Sequence, residues 1–244
     1  MKKVEFKYRR LVQVSQVMNV PERWNELSGS QFIIVARQMF EKLSPENFFC
    51  QFFSINRNIL KRMDGLQIFK LSELIQFISD MTLPCNTWLL KKIGPFRAPS
   101  QNLEGISLQQ WMIADTYFSR YITSNKDEIL DYAIASLYLR KRASFFGKKK
   151  VNLSKETALI SKQELIHRKS IALNFVLIKN WLSHSYPFLF PILEKKQISS
   201  KGTDWLEIFD KLVGENLTQI DEYKKMAVTD AFRIMNRRIK EAKK

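Results

Sequence analysis

Residues that build tight turns are scarce in this sequence: glycine and proline occur only seven times each. A fold of many short strands needs these residues at its reversals, because they supply the backbone angles that tight turns require. Their scarcity argues against such a fold and favours long helices joined by a few loops. Phenylalanine occurs 18 times, so the sequence predicts an all-α fold with an aromatic-rich core.

Residues that bind metals or form disulfides are also few. The cysteines, Cys50 and Cys85, lie in apolar segments without the spacing of a zinc site. Both thiols are expected to be small buried side chains in a reducing compartment. The histidines, His167 and His184, leave few members for a metal centre or a catalytic triad. We interpret His167 as a solvated side chain and His184 as a cation at the end of a helix.

Long apolar runs and catalytic motifs are missing as well. No apolar stretch approaches the roughly 18 residues that a membrane-spanning helix needs, and residues 1–10 lack the apolar segment of a signal peptide. The expected compartment is the cytoplasm, or a particle assembled there. No phosphate-binding loop, dinucleotide fingerprint, zinc-protease motif or serine-hydrolase motif occurs.

One carboxylate, Asp115, falls on the apolar stripe of its predicted helix, between Met112 and Phe118. Partly buried carboxylates can be functional, but structural ion pairs also bury them. An ion pair with Arg120 or Arg140 is therefore favoured over a catalytic role. The sequence predicts a protein that is not an enzyme and that uses neither a cofactor nor a small-molecule substrate.

Positive charge, by contrast, is abundant: 40 lysines and arginines accompany 24 acidic residues, which gives a net charge of +16. Such a charge attracts nucleic acid, an anionic surface or an acidic protein, although a lysine-rich genome produces the same composition. A basic last helix and a basic loop form the alternative, nucleic-acid-binding surface. Its candidate residues are Lys148, Lys149, Lys150, Arg233, Arg237, Arg238 and Lys240.

Apolar residues recur at helical spacing along most of the chain. Residues 2–13 alternate weakly instead, and predict either a docked arm or a short strand, for which no clear partner is present. Glycine and proline concentrate between residues 84 and 106, which predicts a long connection. The predicted organisation is an arm and helical half at 1–83, the connection at 84–106 and a second helical half at 107–244, packed on the first. The predicted helices cover residues 28–42, 45–63, 72–81, 107–124, 127–142, 161–183, 204–213 and 223–242.

The connection holds aromatic and basic residues, and long ordered loops often carry function. Trp88, Phe96 and Arg97 are the candidate partner-binding residues. The two aromatic side chains are expected to be exposed anchors of a protein contact. A linker that only drapes over the helices is the alternative.

Segments spread over the chain carry a resemblance to known proteins. They are residues 20–28 (VPERWNELS) with Gln31, Ile93-Gly94-Pro95, residues 106–121 leading to 135–138 (ASLY), residues 186–190 (YPFLF), residues 204–206 (DWL) and a final helix around 228–239. In order and spacing, they resemble an uncharacterised protein family of tailed phages and prophages of Bacteroidetes-type bacteria.

The resemblance implies a protein of the phage tail module, either a tail assembly chaperone or a minor structural component. It implies binding to other tail proteins, the tape-measure protein or the tube protein, in the cytoplasm of a bacterial host during assembly or in the virion. It carries over no catalytic residue. The basic last helix and the lysines at 148–150 depart from the family and leave room for a DNA-facing role.

Overall fold

A computed structural model describes residues 1–9, 13–141, 143, 145–146, 151–191, 205–214 and 217–242. These residues are mostly helical, with a few small strands, so the expected helical class is confirmed. The chain forms two compact units, Met1–Cys85 and Asn86–Lys244. The predicted packing of one helical half on the other stays a prediction.

The N-terminal unit begins with an antiparallel hairpin. Strand β1 (Lys2–Arg9) pairs with strand β2 (Gln13–Val20), with Lys2 opposite Val20 and Arg9 opposite Gln13. The strand alternative for the first residues is therefore confirmed, and β2 is the partner that the sequence did not reveal. The remaining elements are a 3-10 turn (Trp24–Glu26), α1 (Gly29–Glu41), α2 (Pro45–Phe53), α3 (Arg57–Leu60), α4 (Gly65–Leu74) and a second 3-10 turn (Gln76–Ser79).

Reciprocal side-chain caps fix where α1 and α4 begin. The Gln31 amide N–H donates to Ser28 Oγ at 3.2 Å, and the Ser28 amide N–H donates to Gln31 Oε1 at 3.1 Å. Asp64 and Gln67 form the same arrangement at the start of α4. Each capping box satisfies two backbone donors that the first helical turn leaves unpaired.

Two apolar clusters hold the N-terminal unit together. The Trp24 ring packs edge-to-face against Phe32 and Phe77, with centroid distances of 6.3 and 5.7 Å. The second cluster forms beneath α2, α3 and α4, and its buried members are Ile55, Leu60, Met63 and Leu71. Because this second cluster packs α2, α3 and α4 together, it positions the surface described below.

The C-terminal unit combines helices with a small three-stranded sheet. Its helices are α5 (Leu108–Ser124), α6 (Asp127–Leu137), α7 (Leu153–Ile160), α8 (Leu165–Ser185), α9 (Trp205–Val213), α10 (Ile220–Lys225) and α11 (Val228–Ala242). Strands β3 (Lys92–Ile93) and β4 (Phe96–Arg97) come from the predicted connection, and β5 (Leu139–Arg140) follows α6. Within the described ranges, no helix has both the length and the apolarity needed to cross a membrane.

Aromatic rings form a continuous core across α5, α8 and α11. Phe175 on α8 stacks on Phe118 and Trp111 of α5, at centroid distances of 3.9 and 5.2 Å. Phe232 on α11 meets Trp111 edge-to-face at 5.8 Å and stacks on Trp205 of α9 at 6.0 Å. The phenylalanine-rich composition is therefore used in the core, as the sequence predicts.

The sheet places Arg97 beside the end of α6. In the antiparallel order β3-β4-β5, Phe96 pairs with Arg140 and Arg97 pairs with Leu139. The β3–β4 turn is Gly94-Pro95, and Gly94 has a φ of +52°, in the left-handed region that residues with a Cβ atom rarely adopt. This turn lets residues 92–97 form a hairpin, which in turn fixes the position of Arg97.

Replacing Gly94 with alanine is expected to lower the free energy of unfolding of the C-terminal unit by about 1–2 kcal/mol, because an L-residue is strained at this φ. The new Cβ would also lie 2.7 Å from Gln163 Oε1, a flexible side-chain end that can move away. Urea denaturation followed by circular dichroism measures the change. Gly65→Ala is the control, since a Cβ there meets nothing within 4 Å; equal losses at both positions would contradict this account of the turn.

Candidate binding surfaces

The predicted exposure of Trp88 and Phe96 is wrong, because both side chains are fully buried, at 0% exposure. The Trp88 ring packs edge-to-face on Tyr138 at 5.7 Å and lies 6.5 Å from the Phe175 ring. Phe96 lies in the central strand of the small sheet. The connection folds onto the helices of the C-terminal unit and buries its aromatic residues, so neither ring is available as a surface anchor.

Buried polar groups fasten the connection to the helices. Asn174 of α8 accepts a hydrogen bond from the Leu89 amide N–H and donates one to the Thr87 carbonyl at 3.0 Å. The Tyr138 hydroxyl donates to the Leu90 carbonyl at 2.7 Å, and burial raises the pKa of that hydroxyl. Asn174 was not among the predicted residues; its only signal in the sequence is a polar side chain inside the apolar stretch of a long helix.

The basic residues of α11 have unequal surroundings. Arg233 and Arg237 are exposed and pair along the helix with Asp230 and Glu241, at 3.1 and 3.9 Å. Arg238 donates to the Leu212 carbonyl at 2.8 Å. The surface ion pairs of Arg233 and Arg237 contribute little stability, but they offset part of the positive charge on this face of α11.

Lys240 lies over the Phe188 ring, 5.8 Å from its centroid. Together with Arg238, it contributes to internal contacts of the C-terminal unit as well as to surface charge. The remaining predicted nucleic-acid-binding residues, Lys148, Lys149 and Lys150, lie outside the described residues.

Asp115 is buried in an ion pair, as expected, although its partner is Lys179 rather than Arg120 or Arg140. Lys179 Nζ lies 2.8 Å from Asp115 Oδ1, and the Trp205 indole N–H donates to Oδ2 at 2.7 Å. Both carboxylate oxygens are therefore bonded, and the group connects α5 with α8 and α9.

Two further buried carboxylates have arginine partners. Asp131 on α6 accepts a hydrogen bond from Arg168 on α8 at 2.7 Å, and Glu156 on α7 accepts one from Arg140 on β5. Burial raises the pKa of Asp131, and the Arg168 guanidinium opposes that rise. Among the described residues, no three side chains of His, Cys, Asp or Glu come together as metal ligands would.

An open apolar groove lies on the N-terminal unit. Its walls are Pro45 and Phe49 of α2, Leu60 of α3 and Ile68 of α4, and it encloses about 290 Å³. The capping box of α4 and the cluster beneath α2, α3 and α4 position these walls. We call this surface the apolar groove; its polar edge consists of Glu46 and Lys61.

Helix α4 also exposes large apolar side chains that do not line the groove. It contributes Ile68 to the groove and leaves Leu66 and Phe69 with exposed fractions of 62% and 57%. Residues three apart lie on the same side of a helix, so Leu66 and Phe69 share one face of α4. Ile68, one and two positions away, lies on a different face of the same helix.

Positively charged side chains lie at the edge of the apolar groove and on the segments that form it. Arg57 Nε and Nη2 each donate to the Glu46 carboxylate at 2.6 Å, and these hydrogen bonds lower the pKa of Glu46. The exposed cations Lys61, Arg62 and Lys70 form no ion pair with any residue that the structure describes. The edge of the groove is therefore basic once Glu46 is neutralised by Arg57.

A second surface, the basic cleft, lies on the C-terminal unit. It consists of two adjoining depressions of about 330 and 300 Å³ that share Gly105, Ile106, Gln110 and Leu139. Backbone hydrogen bonds hold the residues before α11 against the segment that contains Ile106, one of these shared residues. The Val228 amide N–H donates to the Ile106 carbonyl at 3.0 Å, and the Leu108 N–H donates to the Met226 carbonyl at 2.9 Å.

Basic and aromatic side chains line the cleft. Arg97 and Lys141 line the first depression, and Lys225 lines the second together with Phe145 and Phe146. Arg97, Lys141 and Lys225 are exposed and have no ion-pair partner within the described part of the chain. Lys225 Nζ lies 5.8 Å from the centroid of the Phe146 ring. Of the predicted partner-binding residues, Arg97 alone is at a surface site.

No protein-family model, curated protein or solved structure matches this chain.

Proposed function

We propose that the protein is a non-catalytic binding protein of a phage tail module, and that its apolar groove holds an acidic amphipathic helix of the tape-measure or tube protein. The observation that carries the proposal is the open apolar groove, together with the exposed Leu66 and Phe69 on α4, one of the helices that form it. Exposed apolar patches rimmed by polar residues are typical of protein-binding surfaces.

The shape of the groove favours a helix as the occupant. Walls from three helices form a short apolar channel, into which side chains at successive turns of an amphipathic helix fit. The free cations Lys61, Arg62 and Lys70 favour acidic residues on the flanks of that helix. The segments at 20–28 and 186–190, which resemble the phage family, support the tail-module context.

The bonding of the buried carboxylates supports the non-catalytic part of the proposal. Asp115, the one acid that invited a catalytic interpretation, has both oxygens bonded, to Lys179 and to Trp205. A general acid or base needs an open path to a reacting group. The contacts of Asp115 with Lys179 and Trp205 connect three helices, so a structural role explains why this acid is buried.

Co-purification with tail proteins tests the proposal. The tagged chain is co-expressed with the tape-measure protein and, separately, with the tube protein encoded near it. We expect one of them to co-purify and to stay bound in about 0.5 M NaCl, where surface charges are largely screened. The variant Leu66→Ser/Phe69→Ser should bind at least about 30-fold more weakly, because the partner is proposed to contact the exposed face of α4 as well as the groove.

Val17→Ser/Ile122→Ser is the matched control, since it also removes two exposed apolar side chains, neither of which belongs to the groove lining or to α4. It should bind like the unmodified chain. Failure of both tail proteins to co-purify, or equal weakening in the two double variants, would overturn the proposal.

A further inference from the structure

We propose that the basic cleft of the C-terminal unit binds single-stranded nucleic acid, with Arg97, Lys141 and Lys225 on the phosphates and Phe146 stacked on a base. This inference goes beyond the proposed function, because the apolar groove and its protein partner take no part in it.

The charge of the cleft favours an anionic ligand. The three cations lie along two adjoining depressions, and the acid among the lining residues is Glu104. Arg140 also lines the cleft, but its charge is offset by the buried carboxylate of Glu156. On α11, by contrast, Arg233 and Arg237 are already paired with acids. The cleft therefore brings together three cations without an ion-pair partner, whereas two of the four predicted basic residues of α11 are paired with acids.

The aromatic side chain Phe146 and the apolar walls of the cleft suit a nucleobase. Phe146 is 40% exposed, and the same depression has apolar walls from Ile106, Leu139 and Ala227. Grooves that bind single strands combine cations along the backbone with aromatic rings that stack on the bases. A depression of about 300 Å³ is at the small end of ligand pockets and suits one flat base.

Three kinds of anionic ligand can be compared: an acidic peptide, a nucleic-acid duplex and a single strand. An acidic peptide would satisfy the cations but would need an aromatic residue at one particular position to stack on Phe146, whereas every nucleotide carries a flat base. A duplex keeps its bases stacked on one another, so they are not available to an aromatic side chain. The combination of free cations, an exposed ring and apolar walls therefore favours an unpaired strand.

Fluorescence anisotropy of the full chain with a labelled oligothymidine, measured over a range of NaCl concentrations, tests the inference. The variant Arg97→Glu/Lys141→Glu/Lys225→Glu should bind about 100-fold more weakly at low salt. Its plot of log affinity against log salt should be less steep by about 2, because three phosphate contacts of a single strand are lost.

The control variant is Arg120→Glu/Lys126→Glu/Lys162→Glu, which makes the same change in net charge at exposed positions outside the cleft. It should weaken binding less than about fivefold, because only the long-range field changes. Phe146→Ala should weaken binding about tenfold, with an unchanged salt slope, since it removes stacking and no charge.

Photocrosslinking of the oligothymidine to the unmodified chain gives a result that does not depend on the folding of any variant. Crosslinks should map to residues 97–106, 139–146 and 225–227. Crosslinks confined to α11, or a loss on Arg233→Glu/Arg237→Glu as large as that of the cleft variant, would overturn the inference.

Three further outcomes would also overturn it: no binding by the unmodified chain, equal weakening in the two triple variants, or equal affinity for a duplex of the same length. Polyglutamate that displaces the oligonucleotide as well as unlabelled oligothymidine does, at equal charge concentration, would assign the cleft to an acidic protein instead. Leu66→Ser/Phe69→Ser should leave oligothymidine binding unchanged, which separates this inference from the proposed function.

Discussion

Replacing Phe232 with alanine is expected to lower the free energy of unfolding of the C-terminal unit by about 4 kcal/mol. Phe232 is fully buried, and its ring contacts Trp111, Tyr186, Phe190 and Trp205 at centroid distances between 5.0 and 6.0 Å. Removal of the ring leaves a cavity among rigid aromatic neighbours, which cannot collapse to fill it.

Denaturant unfolding followed by tryptophan fluorescence measures this loss, because Trp111 and Trp205 touch the ring directly. The control is Ile122→Ala on α5, whose side chain is 67% exposed. It should change the free energy of unfolding by less than about 0.5 kcal/mol. A loss below about 1 kcal/mol for Phe232→Ala would contradict the packing described for α5, α9 and α11.

Replacing Asp115 with alanine is expected to lower the free energy of unfolding by about 3 kcal/mol, because it leaves the Lys179 ammonium and the Trp205 indole N–H without their acceptor. The loss lies at the lower end for a broken buried pair, since the Lys179 side chain is 29% exposed. Urea unfolding measured at low and high ionic strength tests this value.

A double-mutant cycle isolates the ion pair from the other effects of these substitutions. Asp115→Ala, Lys179→Met and the double variant should give a coupling free energy of about 2 kcal/mol between the two side chains. A coupling close to zero would contradict the structural role assigned to Asp115. It would also reopen the question of what else this buried acid does.

Local sequence signals predicted the starts of α1, α2 and α5, which follow serine caps, but not those of α3, α4 and α7, which follow Asn56, Asp64 and Asn152. Ser28 and Gln31 form the capping box of α1, and α5 begins after Ser107, whose hydroxyl accepts from the Gln110 N–H at 3.2 Å. The Gln110 side chain does not complete a box, because it donates to the Ser136 carbonyl instead. This hydrogen bond joins α5 to α6, so a rule that considers only neighbouring residues cannot predict it.

Contacts between distant segments explain the elements that were missed. A single last helix was predicted at 223–242, but the structure has α10 and α11, separated at Met226 and Ala227. Both residues pair with the backbone around Ser107 and Leu108, and this pairing replaces helical hydrogen bonds. The helix predicted at 161–183 begins at Leu165 instead, because Ser161 ends α7, a helix that was not predicted.

The candidate surfaces were less predictable than the helices. Composition correctly identified aromatic residues in the connection, but the exposure of Trp88 depends on whether the connection packs on α8, which only the fold reveals. The apolar groove is formed by three helices, and the basic cleft is formed by three segments that are distant in the sequence. Arg97 was predicted correctly as a surface residue because a charged arginine stays exposed whether or not the connection packs on the helices.

Hydrogen–deuterium exchange of the full chain, with and without the co-purified tail protein, most directly tests the proposal that the apolar groove binds a helix of a tail protein. We expect slower exchange in the amides of α2, α3 and α4 and no change in the buried core of α5 and α8. Unchanged exchange at residues 45–74, with protection confined to other segments, would contradict it.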